Sequence, residues 1–216
     1  DSDRMYSTGM SNGGYMSSLL ACQMSDKIAA IASVTGSMTP QTYNACNPQH
    51  PTPILQIHGT NDQTVPYLGD PTWTKSIDDV LQYWVSYNNC NLIADTTIIL
   101  DLVLGDWSTA EHIVYEGGDN SVTTEHFKIY GGDHDWPGVW GNMDIHASNE
   151  VWKFFSKYDI NGLIGNTTLI EKTSSKENHL LKITDILGRE TNRTSNTLLF
   201  YIYDDGTVEK IITLEN

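Results

Sequence analysis

The stretch Gly9-Met10-Ser11-Asn12-Gly13 sets a serine between two glycines, at a point where the pattern of the chain changes. Residues 4–8 before it are predicted to form a short strand, and residues 14–25 after it a helix, because apolar side chains recur there at helical spacing. A serine at such a sharp turn is typical of a nucleophile elbow. The elbow needs small residues on both sides of the serine, and it aims the next backbone N–H, here that of Asn12, at a developing oxyanion.

An acid and a base follow the serine in the order that such a site requires. Residues 53–58 form an apolar run typical of a buried strand, which leads into the loop that holds Asp62. Residues 125–130 alternate like a strand, and a tight loop with His134 comes directly after them. Catalytic groups of open α/β sheets collect at the carboxyl ends of the strands. We therefore expect Ser11 to be the nucleophile, His134 the general base and acid, and Asp62 the carboxylate that orients the imidazole.

The same side chains also fit less specific roles. Taken alone, Asp62 is typical of a loop cap, and His134 between two acids is typical of a salt-bridged surface histidine. His58, at the end of its strand, is predicted to pack rather than to act as a base. A metal site is a further alternative for His134, together with Asp133, Asp135, Asp144 and His146, but the spacing matches no calcium-binding loop. The order and spacing of the three residues favour the triad.

The segments around these residues resemble those of secreted esterases of the polyhydroxybutyrate depolymerase and feruloyl esterase group. The similar motifs are D-x-x-R-M-Y-S-T-G-M-S-N-G-G-Y-M around Ser11, H-G-T-N-D-x-x-V-P-Y around Asp62 and G-G-x-H-D-W-P-G around His134. The resemblance extends over residues 1–162. It implies an α/β-hydrolase fold, a triad of these three residues, and hydrolysis of a polyhydroxyalkanoate, feruloyl or acetyl ester through an acyl-enzyme, without a cofactor.

Two positions next to the predicted base are open to more than one interpretation. The resemblance places Trp136 near the site, where it would line the acyl pocket or serve only as packing. Asp133 stands where many relatives have a glycine, and its carboxylate would either stabilise the protonated imidazole or face solvent. Two other functions also stay open: a serine peptidase of related fold, and a non-catalytic binding module on a hydrolase scaffold.

The serine lies close to the first residue of this chain, whereas an α/β-hydrolase sets about half of its sheet before the nucleophile. We therefore expect the chain to hold the C-terminal part of the parallel sheet. We interpret it as a fragment rather than as a truncated reading frame or a processed species. The second oxyanion donor would then belong to the preceding part, the outer edge of the first strand would be unpaired, and the chain alone would have weak or no activity.

Further along, periodicity predicts four more core elements. These are a strand over residues 27–34, an amphipathic helix over 76–88, a strand over 111–115 and a helix over 145–158. They complete a catalytic domain over 1–165, which is followed by a polar linker over 166–179 and a β-rich tail over 180–216. The tail's strands are predicted at 180–187, 198–203 and 208–214, with an Asp-Gly turn between the last two. The tail resembles C-terminal sorting tails of type IX secretion in Bacteroidetes-type bacteria; the alternative is a small accessory β unit.

The net charge and the cysteines indicate which partners and which cellular compartment the protein has. With 12 basic and 27 acidic residues the net charge is −15, which argues against nucleic acid and anionic membranes as partners. No apolar run is long enough to span a bilayer. The resemblance implies a secreted or cell-surface bacterial protein that meets its ester substrate outside the cell. Three cysteines cannot all pair, and we predict a Cys46–Cys90 disulfide with Cys22 as a buried thiol.

Overall fold

The structure, a computed structural model, describes residues 1–165, 180–192, 196–204 and 208–212. Contacts between residues divide the chain into two compact units, Asp1–Thr168 and Leu169–Asn216. The first unit holds the three sequence motifs, and the second corresponds to the predicted tail. The predicted linker at 166–179 lies outside the described residues.

A six-stranded sheet forms the centre of the first unit. Its strands are β1 (Tyr6–Met10), β2 (Ala30–Val34), β3 (Ile54–Gly59), β4 (Asp95–Ile98), β5 (Thr109–Tyr115) and β6 (Thr124–Tyr130). They lie in the order β1-β2-β3-β6-β5-β4. The strands β1, β2, β3 and β6 pair in parallel, whereas β5 pairs antiparallel with both β6 and β4. Every residue of β2 and β3 is buried, as expected for parallel strands covered on both faces.

The described helices of this unit connect the strands. They are α1 (Asn12–Gln23), α2 (Pro40–Ala45), α3 (Ile77–Tyr87) and α4 (Ala147–Phe155), with 3-10 turns at Leu104–Asp106 and Asp119–Ser121 and a short hairpin of β7 (Tyr158–Asp159) and β8 (Gly162–Leu163). Ser76 caps α3, because its hydroxyl oxygen accepts the Asp79 N–H at 3.0 Å. The predicted helices are confirmed within a few residues of their ends. In the part of the chain that the structure describes, no helix has both the length and the apolar surface to cross a membrane.

Both faces of the sheet are packed. On one face Leu55 of β3 lies in the same apolar cluster as Phe154 of α4. On the other face Ile54 of β3 packs with Trp84 of α3. Neighbouring residues of a strand point to opposite faces, so the continuous apolar run of β3 supplies both cores. The result is a mostly parallel sheet between two helical layers, which confirms the predicted α/β fold class.

The disulfide differs from the prediction. Cys22 and Cys46 are bonded, with their Cα atoms 4.8 Å apart, and Cys90 is a buried free thiol. The predicted Cys46–Cys90 bridge is therefore wrong, and so is the prediction that Cys22 is a thiol. The reason is the topology. Cys22 on α1 and Cys46 just after α2 share one face of the sheet, whereas the Cys90 thiol packs against Val122 and Thr124.

Strand β1 forms one edge of the sheet. It pairs with β2 on one side, and no strand among the described residues pairs with its other side, as expected. The face of this strand is nevertheless covered. The Tyr6 ring stacks on Phe155 of α4 with ring centroids 4.7 Å apart, and the Tyr6 hydroxyl donates to the Tyr158 carbonyl at 2.6 Å. The open part of β1 is thus its backbone edge and not its side-chain face.

The second unit contains a small antiparallel sheet. Its strands are β9 (Leu180–Thr184), β10 (Leu198–Tyr203) and β11 (Val208–Ile212), in the order β11-β10-β9. The first strand is shorter than predicted, because the Asp185 carboxylate accepts the N–H groups of Leu187 and Arg189 and so turns the chain. The predicted Asp-Gly turn between β10 and β11 lies partly outside the described residues.

Candidate active site

The three predicted site residues lie at one edge of the central sheet. Ser11, Asp62 and His134 follow the carboxyl ends of β1, β3 and β6, which run parallel. The backbone extends the sheet into this region, since the Ser11 N–H donates to the Val34 carbonyl at 2.9 Å. The parallel pairing that the apolar strands impose therefore collects the three side chains along one edge.

Ser11 has the backbone of a strained turn. Its φ of 55° and ψ of −117° lie outside the regions that residues with side chains usually adopt. A Cβ atom on Gly9 would lie 2.7 Å from the Gly13 Cα, so the turn requires glycine at this position. A Cβ atom on Gly13 would meet nothing within 4 Å. The expectation of small residues on both sides of the serine is therefore right for Gly9 and wrong for Gly13.

Two further glycines hold the elbow, and one of them, Gly36, lies outside the three sequence motifs. A Cβ atom on Gly36, in the loop after β2, would lie 2.7 Å from the Gly14 Cα and 2.8 Å from the Ser11 carbonyl oxygen. A Cβ atom on Gly14 would collide with the Ser33 hydroxyl and lie 3.0 Å from the Gly36 Cα. The first turn of α1 thus packs directly against the loop after β2. This close contact is possible because Gly14 and Gly36 have no side chains.

The predicted oxyanion donor lies at the N-terminus of α1. Asn12 is the first residue of this helix and is exposed. Its backbone N–H has no acceptor among the residues that the structure describes. The first N–H groups of a helix have no partner within it and carry the positive end of the helix dipole. The Asn12 N–H is therefore free to receive a negatively charged oxygen held at Ser11.

The predicted acid and base are in direct contact. Asp62 is buried, with 3% of its surface exposed, and its Oδ2 accepts the Nδ1–H of His134 at 2.8 Å. The other oxygen, Oδ1, accepts the N–H groups of Thr64 at 2.8 Å and Val65 at 2.7 Å. Both oxygens are thus held, and the carboxylate presents one of them to the imidazole.

The same contacts set the protonation state of Asp62. Burial alone would raise its pKa. Hydrogen bonds from His58, His134 and the backbone N–H groups of the loop outweigh that effect and lower the pKa to about 2. Asp62 is consequently an anion at neutral pH, and it stabilises a positive charge on the His134 ring.

Asp133, the position that departs from the resemblance, connects the two loops of the site. Its Oδ1 accepts the backbone N–H of His134 at 2.8 Å and that of Gln63, in the Asp62 loop, at 3.0 Å. The Asp133 N–H itself donates to the Asp135 carboxylate at 3.1 Å. The residue is exposed, as one alternative expected, but its carboxylate also fixes the loop of the base against the loop of the acid.

The third contact of a triad is not formed in this structure. No hydrogen bond among the described residues joins the Ser11 hydroxyl to the His134 ring. Both residues are half-buried at the same edge of the sheet, and 19% of the His134 side chain is exposed. Catalytic hydrogen bonds are often long or poorly aligned before substrate binds. The structure thus joins Asp62 to His134 and places Ser11 along the same edge without that bond.

Trp136 makes packing contacts. Its ring is half-buried against the main apolar cluster, and its Nε1–H donates to the Ser148 hydroxyl of α4 at 3.1 Å. These contacts fix the end of the His134 loop on the last helix of the unit. A contact between Trp136 and substrate stays a prediction.

The structure gives the alternative metal site no support from geometry. In the described ranges, no group of three or more histidine, cysteine, aspartate or glutamate side chains is arranged to hold a metal ion. The residues considered for it have other partners. His134 binds Asp62, and Asp144 accepts the Leu102 N–H at 2.8 Å and the Asn142 amide at 3.1 Å.

Comparison with protein families agrees with this architecture. The Abhydrolase_2 model, described as phospholipase/carboxylesterase, matches residues 1–93, which include the elbow and the Asp62 loop. The fold is that of an α/β-hydrolase. An acetyl xylan esterase from Aspergillus awamori is a solved structure similar to this chain, with a TM-score of 0.46 and 13% identity over 72% of this chain and 60% of that one.

Several relatives of this chain are named as esterases. The bifunctional acetylxylan esterase/xylanase XynS20E of Neocallimastix patriciarum is 28% identical over 180 residues, 78% of this chain and 23% of that protein. Feruloyl esterase B of Piromyces equi is 32% identical over 100 residues, 42% of this chain and 19% of that protein. Feruloyl esterase D of Neurospora crassa is 26% identical over 161 residues, 74% of this chain and 50% of that protein. The chain therefore spans less than a quarter of the first two relatives and half of the third.

Proposed function

We propose that this α/β-hydrolase is a carboxylic ester hydrolase in which Ser11, His134 and Asp62 act as a triad. The observation that carries the proposal is the 2.8 Å hydrogen bond from His134 Nδ1 to a buried Asp62, at the sheet edge where the strained Ser11 turn also lies. A strained serine and an aligned acid–base pair serve no purpose in packing alone. Their combination supports a site in which His134 activates the Ser11 hydroxyl for acyl transfer.

The reaction follows from the positions of the protons. Asp62 holds the hydrogen of His134 on Nδ1, so Nε2 carries the lone pair that takes the proton from the Ser11 hydroxyl as its oxygen attacks the ester carbonyl. The carbonyl oxygen becomes an oxyanion and receives the Asn12 N–H. The intermediate collapses, the leaving alcohol takes the proton from His134, and the acyl group stays on Ser11. Water, deprotonated by His134, then attacks the acyl carbonyl, and His134 returns the proton to the Ser11 oxygen as the acid is released.

The substrate class is proposed from the relatives. The names of three relatives specify acetylxylan or feruloyl esters, both of which are carboxylic esters. We propose acetyl and feruloyl esters as substrates, with polyhydroxyalkanoate as a third class, and Trp136 as a wall of the acyl pocket. Comparing hydrolysis rates of p-nitrophenyl acetate, methyl ferulate and a polyhydroxybutyrate film tests the three classes directly.

The disulfide and the proposed substrates both favour export of the protein. A disulfide such as Cys22–Cys46 is formed and kept in oxidising compartments, and the substrates proposed above lie outside the cell. We propose that the protein is secreted or displayed at the cell surface and that residues 180–216 serve as its sorting tail. Deleting these residues in the native host should then retain the protein inside the cell, and unchanged export would contradict the proposal for the tail.

A fluorophosphonate probe tests the triad. The probe phosphonylates only a serine that a neighbouring base activates, so we expect stoichiometric labelling that maps to Ser11 and is absent from Ser11→Ala. Ser86→Ala is the matched control, because Ser86 is an exposed serine on α3, and its labelling should equal that of the unchanged protein. In the full-length protein, Ser11→Ala should lower kcat by about 10⁶. A folded full-length protein whose Ser11 is not labelled would be a binding module on a hydrolase scaffold.

A further inference from the structure

A buried series of hydrogen-bonded side chains connects the loop beside Ser11 with the Asp62 carboxylate. It runs along one face of β3, through Gln56 and His58, which are two residues apart and therefore on the same side of the strand. Gln56 is 1% exposed and His58 is 0% exposed. Polar side chains buried in this way are costly unless each hydrogen bond is made, so their partners define their role.

The partners of Gln56 fix the hydrogen position on His58. The amide nitrogen of Gln56 lies 2.9 Å from the Gly36 carbonyl oxygen and 3.1 Å from His58 Nδ1. A carbonyl can only accept, so the Gln56 group that faces it is the NH₂. The same NH₂ faces His58 Nδ1, which must therefore carry a lone pair rather than a hydrogen.

The second nitrogen of His58 faces only acceptors. His58 Nε2 lies 2.9 Å from the Val65 carbonyl oxygen and 3.3 Å from Asp62 Oδ2. The ring is thus neutral with its hydrogen on Nε2, donated mainly to Val65 and shared with the longer contact to Asp62. That Asp62 oxygen is the one that also accepts the His134 Nδ1–H.

We propose that His58, held in one tautomer by Gln56, is a positioning residue for the Asp62 carboxylate. This inference rests on the proposed function, because it assigns His58 a role in orienting the acid of the triad. Two N–H groups that converge on Oδ2 keep this oxygen directed at His134 Nδ1 and share its negative charge. Gly36, at the other end of this series of hydrogen bonds, lies close to the Ser11 carbonyl oxygen. The hydrogen bonds therefore also connect the nucleophile's loop to the acid's loop.

Other titratable groups surround this pair and are unchanged in the His58 variants below. They are Tyr15 of α1, Tyr67 after β3, His126 of β6, and Asp133 and Asp135 after β6. Because none of them donates to Asp62 Oδ2 within the described residues, a change in the charge of this oxygen is attributable to His58.

Nitrogen NMR of the histidine rings tests the tautomer without any substrate. In full-length protein labelled with ¹⁵N-histidine, we expect the His58 ring to carry a single hydrogen, on Nε2. A hydrogen on Nδ1, or a doubly protonated His58 ring, would overturn the proposal. This readout is independent of the proposed function, which fails instead if the phosphonate probe does not label Ser11.

Three variants test the effect on the triad. His58→Phe removes the donor, and we expect kcat to fall by roughly tenfold or more with little change in KM. We also expect the acid limb of the kcat/KM profile to move to higher pH, since an Asp62 charge that is no longer shared stabilises the His134 cation more strongly. His58→Gln keeps an N–H near the position of Nε2 and should restore most of the rate. His126→Phe, the matched control, changes the other fully buried histidine, which bonds Tyr67 and the Gln56 carbonyl, and should leave the acid limb in place.

Two results would refute a positioning role. One is a folded His58→Phe protein with unchanged kcat and acid limb, and the other is an equal shift of the limb in His126→Phe. If His58→Phe does not fold, Gln56→Met serves instead. It removes the NH₂ that faces Nδ1, so the NMR spectrum should show a mixture of His58 tautomers, and a pure Nε2–H tautomer would contradict the assignment of Gln56.

Discussion

Asp62 and His134 are 72 residues apart in the sequence, and a hydrogen bond of 2.8 Å joins them. They meet because β3 and β6 are adjacent and parallel, in register from Ile54 opposite Thr124 to Gly59 opposite Ile129. Both loops therefore leave the sheet at the same level. The acid–base pair is a product of strand register, so changes to its polar atoms should affect the rate far more than the fold.

Replacing Asp62 by asparagine should separate geometry from charge. Asp62→Asn keeps the shape of the side chain, but its amide can donate to His134 and favour the wrong tautomer of the ring, so we expect kcat to fall by about 10⁴. The rate on p-nitrophenyl acetate in the full-length protein measures this loss. Asp95→Asn, at an exposed aspartate of β4, is the control and should keep the full rate. A loss of less than tenfold in Asp62→Asn would exclude Asp62 from the triad.

Asp133 should be required for its oxygen and not for its charge. Asp133→Ala removes the acceptor that joins the backbones of His134 and Gln63, and we expect kcat to fall by about tenfold because the loop of the base loosens. Asp133→Asn keeps an acceptor oxygen and should retain most of the rate. Asp26→Ala, at an exposed aspartate far from these loops in sequence, controls for the loss of one acid. Equal losses in the alanine and asparagine variants would point to the charge instead.

The two glycines of the elbow should respond differently to alanine. Gly9→Ala places a Cβ atom 2.7 Å from the Gly13 Cα, and we expect it to lower the free energy of unfolding by about 1–3 kcal/mol. Gly13→Ala places its Cβ atom in open space within α1, where alanine is favoured over glycine, and it should not lower stability. Urea unfolding followed by circular dichroism measures both. Equal destabilisation by the two changes would mean that the turn differs from the one described.

The sequence was sufficient where one segment decides the structure by itself. Local sequence determines β3 through its apolar run, α3 through the spacing of Ile77, Val80 and Trp84, and the serine turn through Gly9. The order of serine, acid and base then predicted that the three side chains lie at one edge of the sheet, because parallel strands end at a common edge. The predicted ends of the elements differ from the observed ends by a few residues, because caps such as Ser76 depend on local hydrogen bonds rather than on periodicity.

The sequence was insufficient where two distant segments meet. The choice of Cys22 over Cys90 as the partner of Cys46 depends on how distant segments pack, because the Cys90 thiol contacts Val122 and Thr124 whereas Cys22 lies beside Cys46. The roles of Gly36 and Asp133 likewise depend on contacts between loops that follow different strands. His58 was expected to pack, and its burial is confirmed, but its shared donor follows only from the positions of Gln56 and Asp62.

The disulfide should stabilise the first unit. It closes a loop with a sequence separation of 24, and chain-entropy reasoning gives about 3 kcal/mol for such a loop. Cys22→Ser, Cys46→Ser and the double variant should each lose about this amount, because any one of them removes the same bond. Thiol counting in denaturant should find one free thiol before reduction and three after it. Three thiols before reduction, or additive losses in the double variant, would contradict the bridge.

The buried Glu125 should make the free energy of unfolding depend on pH in the acid range. Burial would raise its pKa, but His112, Lys157 and Thr123, all within 2.9 Å of its oxygens, lower it to about 2. Because the folded pKa lies below that of the unfolded chain, about 4.3, the stabilisation is complete above the unfolded value and is lost as pH falls through the folded one.

Urea unfolding across this acid range measures the dependence on Glu125. Asp62, with its pKa also near 2, contributes to the same window, so the comparison of variants isolates Glu125. Glu125→Gln should lower stability near neutral pH by on the order of 2 kcal/mol and flatten the slope below the unfolded pKa, since the proton uptake that drives the loss is removed. Glu116→Gln, at an exposed glutamate of the neighbouring loop, should keep the full slope. Identical slopes in the Glu125 and Glu116 variants would show that Glu125 is not held as an anion.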